Sequence, residues 1–401
     1  MNNSNNLPRR NFVRNMSASA LTLACAPSLL LHQKASASPA SAVAAQPTGL
    51  ASAFMDAGSN PPSYRLNVAG RQSAPLPGRG HGIAVNGDRS TIVSFARRPE
   101  RWMQIYRMNG AGEYVLSQQL STPDDRHGMG HGVFSADGAR LYTTENDVVR
   151  GRGVIGIYDT ASFSRIGELD SGGVGPHEIV LLPSSGSASA KGDLVCVANG
   201  GLETDPDYPR MVLNEGEIDS SLAFLEINAD ARISSRVLGV HRLPSSASSL
   251  SIRHLAAVDS ATVCFGCQDQ DELGSSEFSD LLVGLATIRP GPDAAVRMLS
   301  AIPQASGYIG SVAYERASNT LLTSAPRGNC VALWSLDSPT SAPVVHAIKD
   351  ACGACAPASQ PGQFLVSTGF GELWLLPANG SAAELVASTG SRHYDNHMIM
   401  I

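Results

Sequence analysis

Charge is scarce in this chain. Asp, Glu, Lys and Arg together make up only 16% of its 401 residues, and aromatic residues only 5%. The 29 basic residues are outnumbered by 35 acidic ones, giving a formal charge of −6, so no basic surface suited to a nucleic-acid backbone is expected. Gly-x-Ser-x-Gly, His-Glu-x-x-His and Walker-loop patterns are all missing, which removes the usual signatures of serine hydrolases, zincins and P-loop enzymes. The glycine-rich run Arg150-Gly-Arg-Gly-Val-Ile-Gly leads into a strand pattern rather than a helix, so it is not a dinucleotide cradle.

What is abundant points to β structure. Hydrophobic residues reach 43%, enough for a large core, and 39 Gly with 24 Pro supply many turns.

The first fifty residues read as an address rather than as fold. They contain no Asp or Glu, and Arg9, Arg10 and Arg14 precede an uncharged run from Asn15 to Leu31 and an Ala35-Ser36-Ala37 cleavage pattern. Arg9-Arg10-Asn11-Phe12-Val13-Arg14 resembles a twin-arginine export signal, which travels with proteins that fold before export. The run is too short and too rich in Ser and Ala for a membrane span, and no later run reaches spanning length. The expectation is a signal peptide over 1–37, a flexible leader over 38–50, and a periplasmic mature protein without a membrane span. Removing Arg9, Arg10, Arg14 and Lys34 leaves 25 basic against 35 acidic residues, a charge of −10.

A repeat organises residues 51–401. A small residue followed by His opens a strand pattern at Gly80-His81-Gly82, Gly130-His131-Gly132, Pro176-His177-Glu178, Arg253-His254-Leu255 and Asn396-His397-Met398. Cognate sites without His occur at Ile309-Gly310-Ser311 and Cys352-Gly353-Ala354. With Ser311 and Gly353 as markers, the spacings are 50, 46, 77, 57, 42 and 44 residues, the length of a four-stranded propeller blade. The excess in the 77-residue interval falls in the loop at 200–218. Seven markers predict an all-β, seven-bladed propeller in one domain. The last marker is followed by a single strand, so its blade needs the strand patterns Ala51–Met55, Tyr64–Val68 and Ser73–Leu76 to close the ring.

In such a ring the marker histidines and the loops between second and third strands face one mouth. The strings Arg-Gly-His-Gly (79–82), Phe-Ala-Arg-Arg-Pro (95–99), Gly-His-Gly-Val-Phe-Ser (130–135), Thr-Glu-Asn-Asp (144–147), Gly-Pro-His-Glu (175–178), Ser-Ile-Arg-His-Leu (251–255) and Asp-Asn-His (395–397) resemble the exported bacterial domain-of-unknown-function family 1513. The resemblance covers essentially the whole mature chain. It implies a periplasmic seven-bladed propeller encoded beside imelysin-type and haem-containing proteins of iron or copper handling, and it implies no reaction.

Neutral imidazoles bind Cu, Zn, Fe and Ni, so His81, His131, His177, His254 and His397 form a candidate metal site for a transition metal, copper or iron. Glu178 and Asp395 are candidate ligands or orienting partners. The plain alternative is that each His caps an inner strand. Arg79, Arg97, Arg98, Arg253 and Arg327, with Glu145, Asn146 and Asn199, complete a candidate ligand-binding mouth for a carboxylate or phosphate. Their plain alternative is ion pairing with Glu145, Asp147 and Glu178 across blades. Cys264-x-x-Cys267 and Cys352-x-x-Cys355 have zinc-knuckle spacing but fall within strand patterns, where positions i and i+3 face opposite sides; packing is the better reading. Trp102, Trp334 and Trp374 occupy corresponding third strands as inter-blade core.

The sequence therefore favours a binding or accessory protein for metal uptake or redox handling, monomeric, with metal-uptake or haem-containing proteins as candidate partners. A lactonase- or lyase-like enzyme using His131 or His177 as base is the rival, and an interaction platform with structural histidines is a third reading.

Overall fold

The computed structural model describes residues 49–68, 72–98, 100–184, 192–208, 211–214, 216–228, 233–271, 280–288 and 295–401. The expected signal peptide lies outside the described residues, and the first strand begins at Leu50.

Strand-forming runs are bounded by turns, and each run's burial shows its place in a blade. Thr91–Ala96 (Thr-Ile-Val-Ser-Phe-Ala) is buried at every position because neighbouring sheets cover both of its faces. The outermost strand of the same sheet, Tyr114–Ser121, is mostly exposed. Core residues are shared between sheets: Val93, Phe95, Met103 and Ile105 from one sheet pack with Phe134, Leu141, Tyr158 and Phe163 from the next. Trp334 is fully buried on the third strand Cys330–Ser335.

Twenty-eight strands among the described residues form seven four-stranded antiparallel sheets. Their inner strands are Gly80–Val85, Arg126–Phe134, Pro176–Leu181, Leu250–Ala257, Ser311–Glu315, Ala351–Cys355 and Arg392–Met400. Each contacts the next in the series, and Arg392–Met400 contacts Gly80–Val85, so the chain forms a closed seven-bladed propeller. Closure follows the expected route. Arg392–Met400 pairs with Leu50–Asp56, which pairs with Ser63–Val68, and that strand with Gln72–Pro75. A ring closed this way leaves no long free edge at the axis.

The histidine markers have a backbone cause. The inner strands bearing His81, His131, His177, His254 and His397 all slip register against their second strand at the marker, between Gly80/Ile83, Gly128/Gly132, Pro176/Glu178, Ile252/His254 and, opposite Ser52/Phe54, within Tyr394–Met398. A bulge inserts unpaired residues and re-aims their side chains, here toward the axis. Of the two inner strands without His, Ser311–Glu315 pairs with Thr320–Ala325 in unbroken register, whereas Ala351–Cys355 slips between Ala351 and Ala354, so the bulge belongs to the blade repeat and the His is added to it in five blades. At the first two markers glycine is required because the adjacent bulges crowd one another. A Cβ at Gly82 would collide with the Gly130 carbonyl and the His131 ring, and Gly130 has φ +94°.

The closing sheet is a test of the ring. Phe54 is 3% exposed, with its ring centroid 6.0 Å from that of Tyr394 across the junction. Phe54→Ala is expected to cost about 3–5 kcal/mol in urea denaturation, whereas Met108→Ala on an exposed position should cost under about 0.5. Equal small effects would mean that the junction does not hold the ring.

Candidate functional site

The five bulges bring five imidazoles into mutual contact. Ring centroids of His81 and His131 lie 4.8 Å apart, His81 and His397 4.5 Å, His131 and His177 4.8 Å, His177 and His254 4.9 Å, and His254 and His397 5.0 Å. Nε2 of His131 is 3.0 Å from Nε2 of His397. Nitrogens of His81, His131 and His397 fall within 4.8 Å of one another, as do those of His131, His177 and His254. His131 belongs to both triads, so they are alternatives sharing one ring.

Two carboxylates fix the outer rings. Nδ1 of His81 meets Asp395 Oδ1 at 2.8 Å, while Arg79 Nε donates to Asp395 Oδ2 at 2.7 Å. Nδ1 of His254 meets Glu178 Oε2 at 3.3 Å, and the same oxygen accepts from the Leu255 backbone at 3.1 Å. Burial would push the Asp395 carboxyl up, but the His81 hydrogen bond and the Arg79 and Arg97 charges hold it well below the usual range. Burial drives His81, His131 and His254 down to about 3, outweighing the pull of Asp395 on His81. Burial also holds His177 and His397 well below the ordinary value, reinforced by neighbouring histidines. A neutral His81 facing an ionised Asp395 carries its proton on Nδ1 and presents the Nε2 lone pair elsewhere. Nδ1 of His131 and of His177 is buried without a hydrogen-bond partner.

The space along the axis differs on the two sides of this cluster. Further along the inner strands, a cavity of about 160 Å³ is lined by His131, His254, His397 and Glu178, with Ile83, Ile179 and Val312. At the strand starts, a pocket of about 90 Å³ is lined by His81, His177, Arg97, Arg98, Arg253 and Tyr308. It adjoins a chamber of about 490 Å³ lined by Arg79, Arg97, Tyr308, Arg327 and Asp395, among others. Glu178 therefore faces a different cavity from the arginines.

The expected mouth is only partly assembled. Arg79 and Arg97 share Asp395, at 2.7 and 3.8 Å, while Arg327 lies over the Tyr308 ring at 5.1 Å. Glu145 is fully buried and committed to Arg165 at 2.9 Å, Thr143 and Tyr158. Asp147 pairs with Arg126, Arg150 and Arg152. The acids expected to neutralise the mouth arginines thus serve other arginines within their own blade. The buried Asn199 side chain accepts from Ser171 Oγ at 2.8 Å and donates to the Ser171 carbonyl, a latch between strands. Asn146 is buried with its Oδ1 unpartnered. Tyr308 is a mouth residue that the motif search missed. Its signal was an aromatic directly before Ile309-Gly310, one of the two markers without a His. Cys264 and Cys267 lie within one core cluster and are unpaired, as are Cys196, Cys330, Cys352 and Cys355. Burial pushes the Cys355 thiol up to about 12, which suits packing rather than metal ligation.

Fold and axis together define a seven-bladed propeller with a histidine-lined centre. The chain belongs to the family described as protein of unknown function (DUF1513), which matches residues 74–401. No curated protein matches it in sequence. Among solved structures it is similar to a functionally unknown protein from Desulfotomaculum acetoxidans, at 10% identity over 87% of this chain and 98% of that one, with a TM-score of 0.53. It is also similar to Kuenenia stuttgartiensis hydrazine synthase, at 11% identity over 82% of this chain and 90% of that one, with a TM-score of 0.54. Identities this low establish the propeller fold alone. No helix among the described residues is long and apolar enough to cross a membrane.

The depressed imidazoles make stability pH-dependent. Unfolded histidines titrate near 6.5 and folded His81, His131 and His254 near 3, so the unfolded chain binds more protons between those values. Stability is therefore fully present above 6.5 and falls as pH drops through this window, by up to about 1.4 kcal/mol per pH unit for each such histidine. Urea denaturation across the window should show this fall, with a shallower slope in His131→Gln. Stability independent of pH there would contradict a neutral cluster.

Proposed function

We propose that this propeller is a periplasmic binding or accessory protein that holds a transition-metal ion, copper or iron, at its axial histidine cluster and serves uptake or redox handling of that metal. The observation that carries the reading is five uncharged imidazoles meeting at one point, two of them fixed through Nδ1 by carboxylates. That is a donor set whose rings are oriented by carboxylates, as the ligands of histidine metal sites are. Metal–imidazole bonds of about 2.0–2.1 Å put tetrahedral ligands about 3.4 Å apart, so small ring rotations would complete a set around His131. The choice of copper or iron rests on the setting that the family resemblance implies.

The enzyme reading has less support. A general base working at neutral pH needs a pKa near 7, and His131 lies near 3. Of the two carboxylates that would assist such a base, Glu145 is tied to Arg165, and Glu178, on the same cavity as His131, meets Nδ1 of His254 and the Leu255 backbone.

Elemental analysis of protein purified from the periplasm, without chelators or a metal-affinity column, should find about one transition-metal ion per chain. His131→Ala with His177→Ala should abolish retention while circular dichroism stays native. A folded wild-type protein that carries no metal and takes up neither Cu(II) nor Fe(II) on reconstitution contradicts the proposal.

A further inference from the structure

The pocket at the strand starts has a feature that the histidines do not explain. Arg253 is 8% exposed, lines that pocket, and has its Nε without a hydrogen-bond partner. It forms no ion pair among the described residues. Arg98, on the same pocket, makes one hydrogen bond, to Thr204 Oγ1 at 3.2 Å, and likewise no ion pair. Arg97 reaches Asp395 only at 3.8 Å. Among the described residues that line the pocket and its adjoining chamber, Arg79, Arg97, Arg98, Arg253 and Arg327 stand against two carboxylates, Asp350 and Asp395, an excess of three positive charges in that lining. This occurs in a chain whose formal charge is −6.

A buried guanidinium without a counter-charge is strongly unfavourable, so structures normally pair it. Here the nearby acids are placed elsewhere, Glu178 on the other cavity and Glu145 and Asp147 inside their blade. Burial, with Arg98, Arg97 and Arg327 nearby, lowers the Arg253 pKa to about 9, and burial beside Arg97 lowers that of Arg98 to about 10. Tyr308 completes the donor set. Asn396 Nδ2 donates to its hydroxyl oxygen at 2.6 Å, leaving the phenolic hydrogen free to donate.

We propose that the pocket formed by Arg97, Arg98, Arg253 and Tyr308 binds a small multivalent oxyanion, carboxylate or phosphate in type, as a ligand in its own right beside the histidine cluster. At about 90 Å³ it admits one oxyanion group, and the chamber of about 490 Å³ leaves room for an organic body attached to it. Guanidinium forks match both oxyanion geometries bidentately. The site needs no metal, so it stands or falls separately from the metal reading.

The test is isothermal titration calorimetry on the full chain, stripped of metal and dialysed free of phosphate, with inorganic phosphate and with citrate as probes. At least one should bind, and Arg253→Gln should weaken it by about 10- to 100-fold. Arg236→Gln, on an exposed outer-strand pair with Glu226, should leave affinity unchanged. Without the anion, Arg253→Gln should melt no lower than wild type, because it removes an uncompensated charge, and the melting shift caused by the anion should vanish. If that variant does not fold, Arg98→Gln and Tyr308→Phe carry the same expectation of weakened binding. Phosphate binding alone would indicate an inorganic ligand, and citrate binding alone an organic acid. Failure of both probes at millimolar concentration, or affinity unaffected by Arg253→Gln, would overturn the proposal.

Discussion

Desolvation of imidazole is the constraint on which this axis depends. A histidine in water gains its proton near neutral pH, and a cluster of five would then repel itself apart. Burial at the centre of the ring keeps His81, His131 and His254 uncharged down to about pH 3, so rings can sit with centroids 4.5–5.0 Å apart. Burial, in turn, requires seven inner strands to converge, and where the first two bulges meet convergence requires Gly82 and Gly130. The glycines, the bulges and the neutral rings are thus one linked arrangement. Losing the ring closure would expose the cluster and let it charge.

Polarity then runs along the axis. On one side guanidinium groups outnumber carboxylates, and on the other Glu178 faces a cavity of about 160 Å³ lined by histidines and aliphatic residues. Asp395 joins the two regimes. One oxygen orients His81 and the other holds Arg79, so the carboxylate that fixes a ring tautomer also fixes the funnel wall. A cation seated among the rings and an anion seated among the arginines would be near neighbours, with His81 and His177 lining the anion pocket itself.

The architecture was legible because its cause is local. The inner-strand start recurs once per blade, which leaves Gly-His-Gly and its relatives at blade spacing, and strands buried on both faces leave short uncharged runs such as Thr91–Ala96. The ring closure was legible because residues 51–77 carry three strand patterns that need a partner. The electrostatics of the site were not legible, because they join distant positions: Arg79 and Asp395 are 316 residues apart. Glu145, Asn146 and Asp147 looked like loop residues, yet the strand Arg140–Asp147 runs through them and turns the two acids toward arginines of the same blade. Where sequence reasoning expected acids to neutralise the mouth, tertiary placement left Arg98 and Arg253 without an ion pair among the described residues.

The central claim, that the axis holds five uncharged imidazoles, is most directly tested by nitrogen NMR of protein labelled at histidine. Five of the ten histidines should stay neutral when the folded protein is taken to about pH 5, with His81 and His254 as Nδ1–H tautomers. Resonances of His81, His131 and His254 that titrate near 6.5 in the folded state would contradict it.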